Sequence, residues 1–261
     1  MKHEENRGIM TLSEARERGI ACDNPSPCVC AYCGKSLEPL GVVFHGGLRL
    51  VSAVKCDCEE SAEAERRAAE QRAKEARLEE LRRLESCGIR RRFLGATITH
   101  RESNLFLARF GEEPGCGLYI YGGVGRGKTF EASALAKEFS AAGYSVVFAT
   151  VPDMLSSIQE TFGNNDSTMV KTARYTTCDV LVLDDMGKES PSQWAVGMLF
   201  QIVNARYENL KSMVFTSQFA LGDLKARMAK RGEGESAEAI ASRIAETCGI
   251  LHLVGPDRRL R

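Results

Sequence analysis

From about residue 88 onward, short apolar runs alternate with stretches in which apolar residues recur at helical spacing. The runs Leu118–Tyr121, Ser145–Thr150, Val180–Leu183, Met213–Thr216 and Ile250–Val254 have ordinary strand length. Between them, Ala132, Leu135, Ala136 and Phe139 repeat at i, i+3, i+4 and i+7, and Gly143 follows as a stop signal. Met154, Leu155, Ile158 and Phe162 keep the same spacing, as do Ala195, Met198, Leu199 and Ile202. Strands alternating with amphipathic helices predict an α/β domain, a parallel sheet with covering helices. The sequence has no internal repeat.

Two other regions precede this one. Residues 59–85 are dominated by Ala, Glu and Arg, without Gly or Pro, and predict one long helix. Glu63 and Arg67, Glu70 and Lys74, and Glu79 and Arg83 stand four apart with the acid first, the favourable order on a helix. Leu78, Leu81 and Leu84 are its large apolar residues, so its last turns dock on a neighbour while the rest is a solvated spacer. No apolar heptad persists, which argues against a coiled coil. Residues 22–58 are rich in Cys, Gly and Pro. The expected division is a small Cys-rich module (1–58), a charged helical spacer (59–87) and a large α/β domain (88–261).

Composition narrows the function classes. With 43% hydrophobic and 27% charged residues over 261 positions, the chain is expected to be an ordinary soluble protein. Its formal net charge of zero provides no global attraction to a polyanion, so any DNA binding must be local or conditional. The stretch Met1–Leu12 lacks a hydrophobic segment of signal-peptide length, and no later run approaches a membrane span, so a cytoplasmic location away from membranes is expected.

The segment Gly122-Gly123-Val124-Gly125-Arg126-Gly127-Lys128-Thr129 fits the phosphate-binding pattern G-x-x-x-x-G-K-[ST] between a predicted strand and a predicted helix. Its glycines permit backbone conformations that aim N–H groups at phosphate oxygens, and the helix N-terminus adds its positive dipole end. Lys128 is expected to neutralise β- and γ-phosphate charge, and the Thr129 hydroxyl to ligate Mg²⁺. About fifty residues later, Val180–Asp185 is an apolar run ending in two carboxylates, which a buried strand would deliver to the ligand edge of an open sheet. Asp184 is expected to hold Mg²⁺ through its water shell and Asp185 to orient the attacking water. ATP is therefore the expected substrate.

Six of the ten cysteines lie within residues 22–58. Cys30-Ala31-Tyr32-Cys33-Gly34-Lys35 has the form of a zinc knuckle, and Cys56 and Cys58 complete four thiolates for a structural, closed Zn²⁺ site. The spacing of the second pair is unusual, which leaves Cys22, Cys28 and His45 as reserve ligands. A module this small buries little core, so the metal would supply folding free energy. Cys87, Cys116, Cys178 and Cys248 are expected to be free core or surface thiols, and His3, His100 and His252 structural or surface residues.

With these pieces placed, residues 88–261 resemble the DnaC and IstB group of AAA+ ATPases. The resemblance rests on the phosphate loop, Leu183-Asp184-Asp185-Met186-Gly187, Ala205-Arg206-Tyr207, Phe215-Thr216-Ser217-Gln218, Ala241-Ser242-Arg243-Ile244 and Gly255-Pro256-Asp257-Arg258-Arg259. It implies an AAA+ P-loop fold and an ATPase that hydrolyses ATP to ADP and phosphate, slowly unless assembled. It also implies that Arg243 is an arginine finger reaching a neighbouring subunit's γ-phosphate, so that self-association through this domain belongs to the mechanism. Arg259 is implied to be the second sensor and Gln218 the first. Two positions depart from the pattern: Gln218 stands where Asn is usual, and Asp185 where many members have Glu.

The resemblance further implies a helicase loader whose partners are a replicative DnaB-type helicase and single-stranded DNA. The basic clusters at Arg90–Arg92, Lys225–Arg231 and Arg258–Arg261 are candidates for DNA contact. An IstB-type transposition regulator and a nucleotide-gated adaptor with little hydrolysis are the alternatives. A small-substrate kinase fits less well, because over a hundred residues precede the loop and no arginine-rich lid is evident.

Overall fold

Thr11 opens the first helix with a reciprocal cap. Its hydroxyl accepts the Glu14 N–H at 3.1 Å, while the Glu14 carboxylate accepts the Thr11 N–H at 2.8 Å. The computed structural model describes residues 9–22, 28–44, 46–162, 165–188, 192–231 and 234–258. They fall into two compact units that divide between Leu78 and Glu79.

In the first unit, β1 (Ile9–Thr11) leads into α1 (Leu12–Glu17), followed by β2 (Ala21–Cys22), β3 (Cys28–Val29), β4 (Ser36–Leu37), β5 (Pro39–Phe44) and β6 (Gly47–Ala53). Four of these strands form a sheet in the order β1-β5-β6-β2, and β3 pairs with β4 in a separate short hairpin. Met10, Leu12, Ala15 and Leu48 make its small core. This sheet was not foreseen from the sequence, because its strands are short and interrupted by Gly and Pro.

The predicted long helix is α2 (Glu59–Ser86), and Glu63 pairs with Arg67 at 2.5 Å along it. Leu78 is 49% exposed, whereas Leu84 is buried, so the docking expected of all three leucines does not extend to Leu78. Leu84, Cys87 and Ile89 join the core of the second unit.

That unit continues through α3 (Arg101–Phe110), β7 (Gly117–Tyr121), α4 (Lys128–Ala141), β8 (Val146–Thr150), α5 (Val151–Gln159), α6 (Asn165–Thr177), β9 (Val180–Met186), α7 (Gln193–Glu208), β10 (Ser212–Ser217), α8 (Leu221–Met228), α9 (Gly234–Thr247) and β11 (Cys248–His252). The five strands are parallel, in the order β11-β7-β10-β9-β8. Alternate side chains feed two cores. Leu118, Ile120, Val180, Val182 and Val214 pack on one face with Leu135 and Phe139 of α4. Tyr119, Leu181, Leu183, Met213 and Phe215 pack on the other with residues of α5, α7 and α9, as the two-residue period of a strand requires.

This is the expected AAA+ P-loop fold, with two local differences. The last strand ends at His252 rather than Val254. Phe162 lies beyond the end of α5 and is 55% exposed, resting edge-on against Trp194 instead of extending the buried face.

Arg206, in the Ala-Arg-Tyr box, holds the fold together. It is fully buried, and its guanidinium donates to the carbonyls of Tyr175, Cys178, Asp179 and Ser212 at 2.7–3.2 Å. One side chain thus ties the end of α6 to the start of β9 and β10. Burial lowers its pKa, while the Cys178 thiol and Asp179 oppose the shift.

Candidate nucleotide and metal sites

Strand order places the phosphate loop in the middle of the sheet. β7 delivers Gly122, and β10 lies between β7 and the acid-bearing β9, so residues of β10 can reach both. A cavity of about 430 Å³ opens there, lined by Val124–Phe130 of the loop and helix start, by Asp185, Lys188 and Gln218, and by Arg92, Phe93 and Arg258.

The loop is bound by its own polar groups. Lys128 donates to the carbonyls of Gly122 at 2.9 Å and Gly123 at 2.8 Å, which places its ammonium under the loop at the N-terminus of α4. Gly125 has φ +72°, and a Cβ there would lie 1.7 Å from an Asp257 carboxylate oxygen. Its carbonyl accepts the Arg258 N–H at 2.9 Å. A left-handed turn this tightly covered by the C-terminal segment admits only glycine.

Beside the loop, Asp184 is 3% exposed. The Thr129 hydroxyl donates to its two oxygens at 3.0 and 3.1 Å, and the Thr216 hydroxyl donates at 2.5 Å. Burial raises the Asp184 pKa, the Thr216 bond opposes this, and the charge of Asp185 adds to it. A buried carboxylate and a threonine hydroxyl converging beside a phosphate loop are a fitting donor set for Mg²⁺. Bound there, the ion would neutralise charge on the terminal phosphates.

Asp185 has φ +61°, a rare conformation for a residue with a side chain. Its N–H donates to the Thr216 hydroxyl at 2.9 Å, so one threonine of β10 fixes both acids. The Asp185 carboxylate faces the cavity and pairs with Lys188 at 2.8 Å.

The sequence-predicted loop residues, Asp184, Asp185 and Gln218 are therefore brought together. Arg243 is not among the residues lining the cavity. It sits between α7 and α9, about 5 Å from the ring centres of Phe200 and Tyr207, and donates to Asn204 at 2.5 Å and the Ala239 carbonyl at 3.1 Å. Arg259 lies outside the described residues, as do residues 260–261. Sequence reasoning missed the site positions of Thr216, Lys188, Phe93, Arg92 and Arg258. Arg92 and Arg258 belong to basic clusters in the sequence, and Arg258 also to the Gly255–Arg259 box, without either being marked as a cavity residue.

Those clusters do not each form one surface. Arg90 pairs with Asp153 and Arg91 with Glu85, while Arg92 turns to the cavity. Lys225 pairs with Glu238, and Arg227 donates to the Gly187 carbonyl. His100 sits 3.0 Å from the buried Glu131, and His252 stacks on Tyr121, both structural placements. His3 and His45 lie outside the described residues. Cys87, Cys116, Cys178 and Cys248 are all buried.

In the first unit, the Sγ atoms of Cys30, Cys33, Cys56 and Cys58 all lie within 4.8 Å of one another. Cys30 and Cys58 are 3.9 Å apart, and Cys33 and Cys56 3.4 Å. Zn–S bonds of about 2.3 Å in a tetrahedron put sulfurs about 3.8 Å apart, so the cluster fits zinc. Gly34, at φ +71°, turns the knuckle, and the Tyr32 N–H points at the Cys30 sulfur at 3.5 Å.

The thiols also show why a cation suits the site. Backbone N–H groups of Cys33 and Tyr32 lower the Cys30 pKa to about 7. The Ser61 N–H favours the Cys58 thiolate, but burial and the neighbouring sulfurs outweigh it and push Cys58 up to about 12. Four thiolates this close need a shared positive charge to ionise together. Cys22 and Cys28 are not in the cluster.

Comparison with known proteins agrees with this fold. The family model "IstB-like ATP binding protein" matches residues 55–261. The replicative helicase loader DnaI of Bacillus subtilis (strain 168) is 33% identical over 159 residues, covering 59% of this chain and 49% of that protein. The chain spans about half the length of the curated relatives it matches. Among solved structures, one described as DnaI has a TM-score of 0.55 at 26% identity, covering 65% of this chain and 94% of that one. The DnaC helicase loader has a TM-score of 0.53 at 26% identity, covering 63% and 100%. No helix among the described residues is long and apolar enough to cross a membrane. This chain belongs to the IstB-like ATP-binding family, with the AAA+ fold of the DnaC and DnaI helicase loaders.

Proposed function

We propose that the chain is an ATP-dependent helicase loader, which binds a DnaB-type replicative helicase and single-stranded DNA in the cytoplasm during replication initiation. The observation that carries the ATP-dependent part is the network in which Thr129 and Thr216 both donate to the buried Asp184 beside Lys128. That network binds the phosphates and their Mg²⁺, while Asp185 and Gln218 face the same cavity and position the attacking water. Main-chain amides and the α4 dipole hold the triphosphate, and Lys128 exchanges loop carbonyls for phosphate oxygens.

In this reading residues 1–58 form a Zn²⁺ module that contacts the partner, 59–87 a spacer, and 88–261 the ATPase. Subunits associate through the ATPase domain, Arg243 leaves its aromatic clamp to reach a neighbour's nucleotide, and Arg259 reads the nucleotide in its own subunit. Hydrolysis is slow until assembly. The helicase partner rests on the relatives' names, and the single-stranded DNA on the resemblance drawn from the sequence.

The family model's description supports a second reading, an ATP-dependent transposition regulator of IstB type. Pull-down from the native host with and without ATP decides between them. Recovery of a replicative helicase in an ATP-dependent manner supports the loader, and recovery of a transposase instead overturns it. Arg243→Ala should lower assembled turnover without weakening nucleotide binding by the monomer.

A further inference from the structure

Lys188 belongs to none of the roles above, yet it stands inside the nucleotide cavity with its ammonium 2.8 Å from the carboxylate assigned to the attacking water. We propose that Lys188 is a positioning residue that restrains hydrolysis by holding Asp185 in an ion pair until an anion draws the lysine away. This inference rests on the reading of Asp185 as the water-orienting acid.

The turn that carries the pair is built to keep it. Asp185 adopts φ +61°, and its carbonyl accepts the Lys188 N–H at 3.2 Å, which closes the turn and leaves the two side chains on the cavity side. Gly187 lies at φ +91° between them, and a Cβ there would meet Leu224 at 2.8 Å and Phe219 at 3.0 Å. The Gly187 carbonyl accepts Arg227 Nε at 2.6 Å, and the same guanidinium lies over the Phe219 ring at 5.2 Å. The turn is therefore clamped from α8, the helix that follows Gln218 in the chain. Asp185 on one side and Lys188 on the other are held in register by residues that do not line the nucleotide cavity.

The chemistry of the pair fixes the direction of its effect. A carboxylate oxygen that accepts from an ammonium at 2.8 Å is occupied and is not free to hold a water. The side chains are 26% and 45% exposed, so the pair is screened and modest in strength; it persists with nucleotide bound, and an anion reaching the exposed lysine from outside the cavity competes for it. The pair is thus a brake of limited strength rather than a lock.

The test uses the full chain with its zinc. Nucleotide affinity is measured first by calorimetric titration of Mg-ATP, followed by kcat and KM for wild type, Lys188→Met and Lys188→Arg at low and high salt. Lys188→Met should raise kcat roughly two- to five-fold with KM and affinity unchanged, the range available from a partly exposed pair. Lys188→Arg, which keeps the charge, should stay near wild type. High salt should narrow the difference by loosening the wild-type pair.

Independently of turnover, the urea midpoints of Lys188→Met, Asp185→Asn and the double variant should be non-additive. A kcat for Lys188→Met that is unchanged or lower, or additive midpoints, overturns the inference and leaves nucleotide binding standing. Absence of nucleotide binding by wild type would instead remove the reading beneath it.

Discussion

Thr216 is the position where one methyl-for-hydroxyl exchange separates a chemical role for β10 from a merely structural one. Its hydroxyl donates to Asp184 at 2.5 Å and accepts the Asp185 N–H at 2.9 Å, and the residue is fully buried. Thr216→Val keeps the shape and deletes both bonds. A hydrogen bond to an ionised group contributes about 1.5–3 kcal/mol, so the ionised form of Asp184 should lose roughly that much. That energy corresponds to a factor of about 10 to 100 in any equilibrium that needs the carboxylate ionised. Mg-ATP binding is such an equilibrium.

The sign with pH follows from the same geometry. Burial already holds the Asp184 pKa above the usual carboxylate value, against the Thr216 bond. The folded protein therefore keeps this proton to higher pH than the unfolded chain does. At this group, stability without ligand is reduced above the native pKa, and that reduction disappears as pH falls through the native value toward the unfolded one. Mg-ATP affinity runs the opposite way and weakens as pH falls through the native value. Thr216→Val removes a bond that favours ionisation, so its affinity profile should fail at higher pH than wild type, whereas Thr216→Ser should track wild type. Calorimetric titration of Mg-ATP across the acid range reads both. Superposable profiles for wild type and Thr216→Val would refute the coupling of β10 to Asp184.

Arg206→Met should destabilise the second unit by about 3–5 kcal/mol in urea unfolding, because four carbonyls lose a buried charged donor. A loss below about 1 kcal/mol would mean those bonds are dispensable. Strong chelation, or Cys33→Ser, should release one zinc per chain by metal analysis and speed proteolysis within residues 9–58, while nucleotide binding by the second unit persists. A full zinc content in Cys33→Ser would contradict the four-thiolate assignment.

The larger unit was legible because its determinants are local and periodic. The strand runs carry uninterrupted apolar residues, and the loop Gly122–Thr129 has one spacing that no other segment imitates. Asp184 could be located from the strand that carries it, and its hydrogen bond from Thr129 follows from β9 lying near the loop. Thr216 was less legible as a site residue, since its partner is 32 positions away and its importance comes from β10 being inserted between β7 and β9.

Lys188, Arg92 and Arg258 illustrate a different limit. Charge alone does not say which way a side chain turns, and Arg90, Arg91 and Arg92 are adjacent in sequence yet face Asp153, Glu85 and the cavity respectively. In the first unit the C-x-x-C spacing marks Cys30 and Cys33 as candidate ligands, and the structure brings their sulfurs together with those of Cys56 and Cys58. Its four-stranded sheet could not be read, because strands of two to seven residues broken by Gly and Pro give no periodic signal.

The most direct test of the nucleotide site is equilibrium binding of ATP with Mg²⁺ to the zinc-loaded chain, wild type against Lys128→Ala. Wild type should bind, and the variant should bind about 10 to 100 times more weakly, since a charged donor to the phosphates is lost. Equal affinities, or no binding by a folded wild type, would contradict the assignment of Gly122–Thr129 as the phosphate cradle.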